Sequence, residues 1–274
     1  MTGTVWYCYA VARPFPPEAL TGLRGVRDAE VRVVAHDDLV AVVSPVPADE
    51  FDESSLQVKF EDLAWLEVVA RQHNVVVERI AQHSATVPFR LATIYFTKGA
   101  VDTILKDRAR ELGEALDRIS GRAEWGVKVF TREPVSSTDP PAKDKGSAAS
   151  GTDARPGLSY LRRRRSELDA KESAWEAAAR RGAEIDRVLT GLSEFRRQHR
   201  AQSAELSGAV GQNVLNVAYL VPVSATDQFI ARAQELQDEA PNCRIEVTGP
   251  WAPYSFAVDG GTSGAEEPEG REQT

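Results

Sequence analysis

The chain has 274 residues, 33 Lys and Arg against 41 Asp and Glu, and a formal net charge of −8. That balance excludes a wholly basic nucleic-acid coat, and 42% hydrophobic with 27% charged residues excludes a chain disordered throughout. The length suits one large domain or two ordinary ones.

The first apolar stretch, Thr4 to Ala12, is rich in Val, Trp and Tyr. It stops at Arg13-Pro14-Phe15-Pro16-Pro17, where proline cannot donate to a sheet ladder, and so predicts a strand. A short helix is expected from Glu18 to Leu23. Val31 to Ala35 and Val40 to Val43 are β-branched runs around His36-Asp37-Asp38, the pattern of a hairpin. From Phe60 to Ile80, the residues Phe60, Leu63, Leu66, Val69, Val76, Val77 and Ile80 recur with helical spacing. Thr86 to Phe96 returns to strand character, and Val101 to Ile119 reads as one amphipathic helix ending at Ser120-Gly121.

A strand is expected at Glu124 to Phe130. Residues 133–157 are dense in Pro, Ser, Ala, Asp, Lys and Gly without periodic apolar positions, which predicts a flexible insertion. Leu158 to Ala204 is helix-forming. Within it Leu161, Leu168, Trp175 and Leu189 share a seven-residue spacing, with Ile185 and Leu192 beside them. This predicts one long helix, or two interrupted at Gly182, laid along another element like a coiled-coil seam. Val214 to Val221 is a strand, and Ser224 to Gln237 a helix capped by Ser224. Arg244 to Val247 and Tyr254 to Val258 read as short strands around Gly249-Pro250-Trp251-Ala252-Pro253. Residues 259–274 carry five acids against Arg271 and read as a disordered acidic tail.

The expected fold class is therefore α+β in two domains. Residues 1–122 form a mixed α/β N-terminal domain. Residues 123–258 form a ferredoxin-like C-terminal domain with a long helical segment, because right-handed crossovers would place both of its helices on one sheet face.

Chemistry is sparse. Cys8 and Cys243 sit in apolar runs without CxxC spacing, so buried free thiols in a cytoplasmic protein are expected. The N-terminus lacks a basic region before its apolar stretch, and no apolar run reaches about 18 residues, so neither secretion nor a membrane span is expected. His73 and His83 are ten residues apart on one helix and point to different faces, which argues against a metal site. GxSxG, P-loop, GxGxxG, HExxH and EF-hand strings do not occur. No enzyme activity, catalytic residue, cofactor, metal or small-molecule substrate is expected. His36-Asp37-Asp38 reads as a turn, and Glu61-Asp62 as acids in a helix's first turn.

Three features are open to more than one reading. Tyr160 followed by Arg162-Arg163-Arg164-Arg165 is the best nucleic-acid candidate. Yet four consecutive helical residues spread over about 300°, and Glu167, Asp169 and Glu172 can pair with them. Only seven of the 33 basic residues are Lys, a skew that a GC-rich genome produces unaided. A solvated, paired helix surface is the reading adopted, with no nucleic acid as partner. Arg90 is either an edge-strand residue paired with a helix carboxylate or a buried or interfacial guanidinium. Pro250, Trp251 and Tyr254 lie in a loop that either binds a partner or staples itself to its own core.

Several strings resemble the gas vesicle protein GvpF/GvpL family. They are Val5-Trp6-Tyr7-Cys8-Tyr9, Leu39-Val40-Ala41-Val42-Val43-Ser44 and Thr86-Val87-Pro88-Phe89-Arg90-Leu91-Ala92-Thr93-Ile94-Tyr95, then Glu124-Trp125-Gly126-Val127-Lys128-Val129, Gly157-Leu158-Ser159-Tyr160-Leu161 and the stretch from Val247 to Phe256. Ala92 departs from the family, which commonly has Gly there; a methyl group opposes a very close backbone approach. The resemblance implies a non-enzymatic accessory or minor structural protein for gas vesicle assembly. It would be cytoplasmic and vesicle-associated, and its partners would be the small hydrophobic major shell protein or other gas vesicle proteins. Candidate contact residues are Arg90, Tyr160, Leu161, Leu168, Trp175, Pro250, Trp251 and Tyr254. An RNA-binding module built on the Arg run and a small-molecule enzyme are the competing classes, and F and L types are not separated.

Overall fold

The computed structural model describes residues 3–132, 156–201 and 211–257. Two compact units form, one comprising Met1–Glu124 with the chain from Trp251 onward, the other Trp125–Pro250.

In the first unit, β1 (Thr4–Ala12) pairs antiparallel with β3 (Leu39–Pro47) and β4 (Thr86–Tyr95), and β2 (Arg32–His36) joins β3, giving the order β2-β3-β1-β4. The β2–β3 hairpin turns at Asp37 and Asp38, and Asp37 takes φ 49°, a left-handed conformation that Asp tolerates. Alternation along β1 changes phase at Tyr9. The register jumps between Cys8 and Ala10, so Val5, Tyr7 and Tyr9 and then Ala10 and Ala12 join one core cluster. Against β4 the jump is larger, and Tyr9 alone stands opposite Phe89, Arg90, Leu91 and Ala92.

Helices α1 (Ala48–Phe51), α2 (Glu53–Lys59) and α3 (Leu63–Ala81) follow β3. The expected helix start at Phe60 moves to Leu63 because the Asp62 carboxylate accepts from the Ala64 and Trp65 amides at 3.0 and 3.2 Å. The apolar stripe splits accordingly. Val69, Val76, Val77 and Ile80 are buried on the core with His73, whereas Phe60 and Leu63 face solvent. The single helix expected from Val101 to Ile119 is two, α4 (Lys98–Asp107) and α5 (Ala109–Ile119), broken at Arg108 (φ −107°, ψ 16°). There the Arg108 guanidinium forks onto Glu111 at 2.8 and 2.9 Å. The short helix expected at Glu18 is a 3-10 turn, Pro17–Leu20, and a second turn follows at Val26–Asp28.

The second unit contains β5 (Arg122–Thr131), α6 (Pro156–Thr190), β6 (Phe195–Gln198), β7 (Asn213–Pro222), α7 (Thr226–Asp238) and β8 (Cys243–Trp251), with sheet order β6-β7-β5-β8. β6 corrects the expectation of helix as far as Ala204. It is an edge strand with all four residues exposed, so no apolar alternation marks it. Its Arg196 reaches Asp186 of α6 at 2.9 Å. Ser224 does not cap α7; it lies in a 3-10 turn, Val223–Ala225, ahead of the helix.

Two further expectations are corrected at the C-terminal end. Tyr254–Phe256 is a 3-10 turn, not a strand, and it belongs with the first unit although 123–258 was expected to be one domain. Side chains hold it there: the Tyr254 hydroxyl donates to Asn74 Oδ1 at 2.7 Å, and the Ser255 amide and hydroxyl donate to the Glu124 carboxylate at 2.8 and 2.6 Å. Pro156 and Gly157, expected in the insertion, open α6; the rest of the insertion and the acidic tail lie outside the described residues. Cys8 and Cys243 are buried free thiols, and burial pushes the Cys8 thiol pKa upward.

Candidate partner-binding site

The candidate site grows out of a polar knot in the first unit's core. Tyr7, Tyr9, Phe51 and His73 pack ring to ring, with centroids 4.9 Å apart for the two tyrosines and 5.7 Å for Tyr7 and His73. Buried rings bring polar tips that need partners. The Tyr9 hydroxyl accepts from the Val26 amide at 2.8 Å, pinning the 3-10 turn there. Gly25 makes that approach possible, because a Cβ in its place would stand 2.0 Å from the Tyr9 hydroxyl. Tyr7 Oη lies 3.0 Å from His73 Nδ1 and accepts from the Ala92 amide at 3.1 Å.

Burial lowers the His73 pKa to about 4, against a smaller opposing pull from the Phe89 backbone. Desolvation raises both tyrosines, Tyr9 to about 12 despite its hydrogen bond from the Val26 amide. None of these groups is poised for proton transfer near neutral pH. The knot positions backbone. Its hold on the Ala92 amide fixes the β4 bulge, where Ala92 adopts φ 59°, the left-handed region glycine occupies freely.

Ala92 then lines a groove of about 290 Å³ with Phe51, Leu56, Phe60, Ile94 and Phe96, while Asp52, Glu53 and Gln57 form its polar edge. Phe96 is 80% exposed, and Val58 and Leu63 add exposed apolar surface on α2 and α3. Asp52 is committed to capping α2: the Ser55 amide donates to it at 2.7 Å and holds its pKa below the ordinary carboxylate value. The groove therefore offers apolar contact beside fixed negative charge.

A second pocket, about 220 Å³, is lined by Asn74, Val77, Glu78, Glu124, Trp251, Ala252 and Tyr254. It brings together two of the residues singled out in the sequence, Trp251 and Tyr254. The others stand elsewhere. Arg90 is exposed in the β4 bulge and has an interaction partner, which overturns the buried-guanidinium reading. Pro250 lies near the end of β8; Leu168 and Trp175 are exposed on α6. Tyr160 and Leu161 belong to the same helix, with side chains outside the described residues. Sequence reasoning missed Phe96 and Leu56 and placed Phe60 in a core stripe. The available signal was Asp62, a cap that puts Phe60 outside the helix.

Among the described residues no group of three His, Cys, Asp or Glu could hold a metal ion, and no helix is long and apolar enough to cross a membrane. His36 Nδ1 sits 3.3 Å from Asp102 at the hairpin end, and Asp38 pairs with Arg13, so the His36-Asp37-Asp38 string is a turn tied down by side-chain contacts.

The geometry defines a mixed α/β protein of two units, each with a four-stranded sheet, and an apolar groove on the first unit. The chain belongs to the family described as gas vesicle synthesis protein GvpL/GvpF, whose sequence profile matches residues 5–258. Gas vesicle protein L of Streptomyces sp. (strain CB03234) is 40% identical over 93% of this chain and 94% of its own. Gas vesicle protein F of the same strain is 27% identical over 91% and 98%. The crystal structure of the gas vesicle protein GvpF from Anabaena sp. PCC7120 shares the fold, with TM-score 0.63 at 19% identity, covering 93% of this chain and 97% of that one.

Proposed function

We propose that this protein is a non-enzymatic, cytoplasmic assembly factor for gas vesicles that covers the apolar surface of the major shell protein before polymerisation. The observation that supports this is the groove of Phe51, Leu56, Phe60, Ile94 and Phe96. Its Phe60 and Phe96 rings stand open to solvent over the buried Phe51, in a chain of net charge −8. Exposed apolar patches of this kind mark contact sites, and net charge keeps a complex dispersed. The strand orders β2-β3-β1-β4 and β6-β7-β5-β8 support reading both units as ferredoxin-like. The 40% identity to an L protein against 27% to an F protein of the same strain supports an L-type role.

The test is co-expression with the major shell protein. The native chain raises the shell protein's soluble fraction, and Phe60→Glu with Phe96→Glu removes that effect while leaving the fold intact by circular dichroism. Equal soluble fractions with and without the native chain would sink the reading.

A further inference from the structure

The groove leaves the first unit's second pocket, about 220 Å³ and lined by α3 and the chain around Trp251, without a role. Part of its lining is committed. The Tyr254 hydroxyl donates to Asn74 Oδ1 at 2.7 Å, and the buried Glu124 carboxylate accepts from the Ser255 amide and hydroxyl at 2.8 and 2.6 Å. These bonds staple the 3-10 turn Tyr254–Phe256 to the unit. Two lining groups are left over. Trp251 is 49% exposed, although the turn that follows it is held down. Glu78, exposed on α3 beside the buried Val77, makes no hydrogen bond or ion pair among the described residues.

A solvated glutamate on a helix is ordinary. Glu78 differs in its surroundings. The positions three and four residues away are Asn74, Val75, Ala81 and Gln82, so no base reaches it along the helix. Among the described residues no base lines the pocket either, whereas two aromatic residues do. The Glu78 charge acts inside it: after burial itself, that charge pushes the Tyr254 hydroxyl pKa upward. A carboxylate beside aromatic faces suits a cation. Of the cationic side chains, a guanidinium can stack its plane on an indole while forking onto a carboxylate, whereas an ammonium offers only a point charge. With no base to take an α-carboxylate, the pocket favours an arginine within a chain over the free amino acid.

We propose that this pocket takes an arginine side chain of a partner protein, with its guanidinium stacked on Trp251 and paired with Glu78. Glu124 and Tyr254 hold the loop that presents Trp251. No residue of the groove lines the pocket, so the site stands apart from the proposed covering of the shell protein.

Titrating the full chain with the blocked tripeptide acetyl-Gly-Arg-Gly-amide, read at the tryptophan indole N–H resonances, tests it. The Trp251 resonance shifts to saturation, while that of Trp175, 45% exposed near Glu172 and Glu176 on α6, stays in place. The corresponding lysine and citrulline tripeptides bind at least about tenfold more weakly, because neither offers a charged plane. Glu78→Gln, at an exposed position, weakens the arginine tripeptide at least about tenfold with unchanged circular dichroism. Phe60→Glu with Phe96→Glu leaves the titration unchanged, which separates this site from the groove. The proposal is overturned by an equal shift at Trp175, by lysine, citrulline or free L-arginine binding as tightly, or by an indifferent Glu78→Gln. Tighter binding after removal of residues 259–274 overturns it in favour of the chain's own Arg271. Self-association that is lost in Glu78→Gln overturns it in favour of a second copy.

Discussion

The two sheets order their strands alike, second, third, first and fourth within each unit, yet their first crossovers differ completely. Between β5 and β6 the chain forms α6, which lays Ala178, Ile185 and Leu189 on the core. Between β1 and β2 it forms only two 3-10 turns, and large rings, Tyr7, Tyr9 and His73, fill the interior with Phe51. Aliphatic packing needs no polar partners. Aromatic packing of this kind does, and the resulting hydrogen bonds tie the Val26 turn and the Ala92 bulge to β1. The helical core has rings too, Tyr219 and Phe229 with centroids 5.6 Å apart, but there the Tyr219 hydroxyl donates to the Asp186 side chain of α6 at 2.7 Å, whereas in the first unit the buried hydroxyls hold backbone amides of a turn and a bulge.

The sharpest break should come from hollowing the helical core. Leu189→Ala is expected to cost about 4 kcal/mol through lost transfer energy and a residual cavity, read as a lower denaturation midpoint. An unchanged midpoint would mean that α6 does not seal its sheet.

Acid should act on the aromatic core. His73 has a folded-state pKa of about 4, below its ordinary 6.5. The unfolded chain therefore binds the extra proton between these values, and stability is full above pH 6.5 and falls towards pH 4, by about 3 kcal/mol. Denaturation midpoints measured across this window should drop, and His73→Phe should flatten the drop. A native curve as flat as the variant's would show that the imidazole is not buried.

Crowding the same core should be milder. Gly25→Ala drives a methyl group into the Tyr9 hydroxyl and is expected to cost about 2 kcal/mol, visible in thermal melts. Ala92→Gly should act the other way, raising stability by about 1 kcal/mol, since glycine accepts φ 59° without the Cβ penalty. A loss of stability there would show that the bulge is not left-handed in solution. Smallest of all, Arg196→Gln on β6 should change stability by less than about 1 kcal/mol, because its partnership with Asp186 is only half-buried.

Much of this was legible in the amino acids. β1 ends where proline begins, the β2–β3 hairpin turns at its two aspartates, and α3 shows its buried stripe from Val69 to Ile80. The family-defining strings mark the same strands, and the glycine-to-alanine departure at 92 is the position that the structure places at positive φ. The groove was not legible. Its rings come from three separate stretches, and although Asp62 as a cap marks Phe60 as lying outside the helix that buries Val69, no local signal brings Phe60 to Phe51 and Phe96.

Periodicity and turn chemistry are local, so the sequence by itself determined the central strands of both sheets, the β2–β3 hairpin and the buried stripe of α3, in their order along the chain. Burial is a property of what lies opposite. Only the tertiary structure decided that β6 pairs as an edge strand, that the turn after Trp251 joins the first unit, and that the Leu168 and Trp175 stripe of α6 is left uncovered. Each depends on a partner tens of residues away, and the spacing of neighbours along the chain carries no record of it.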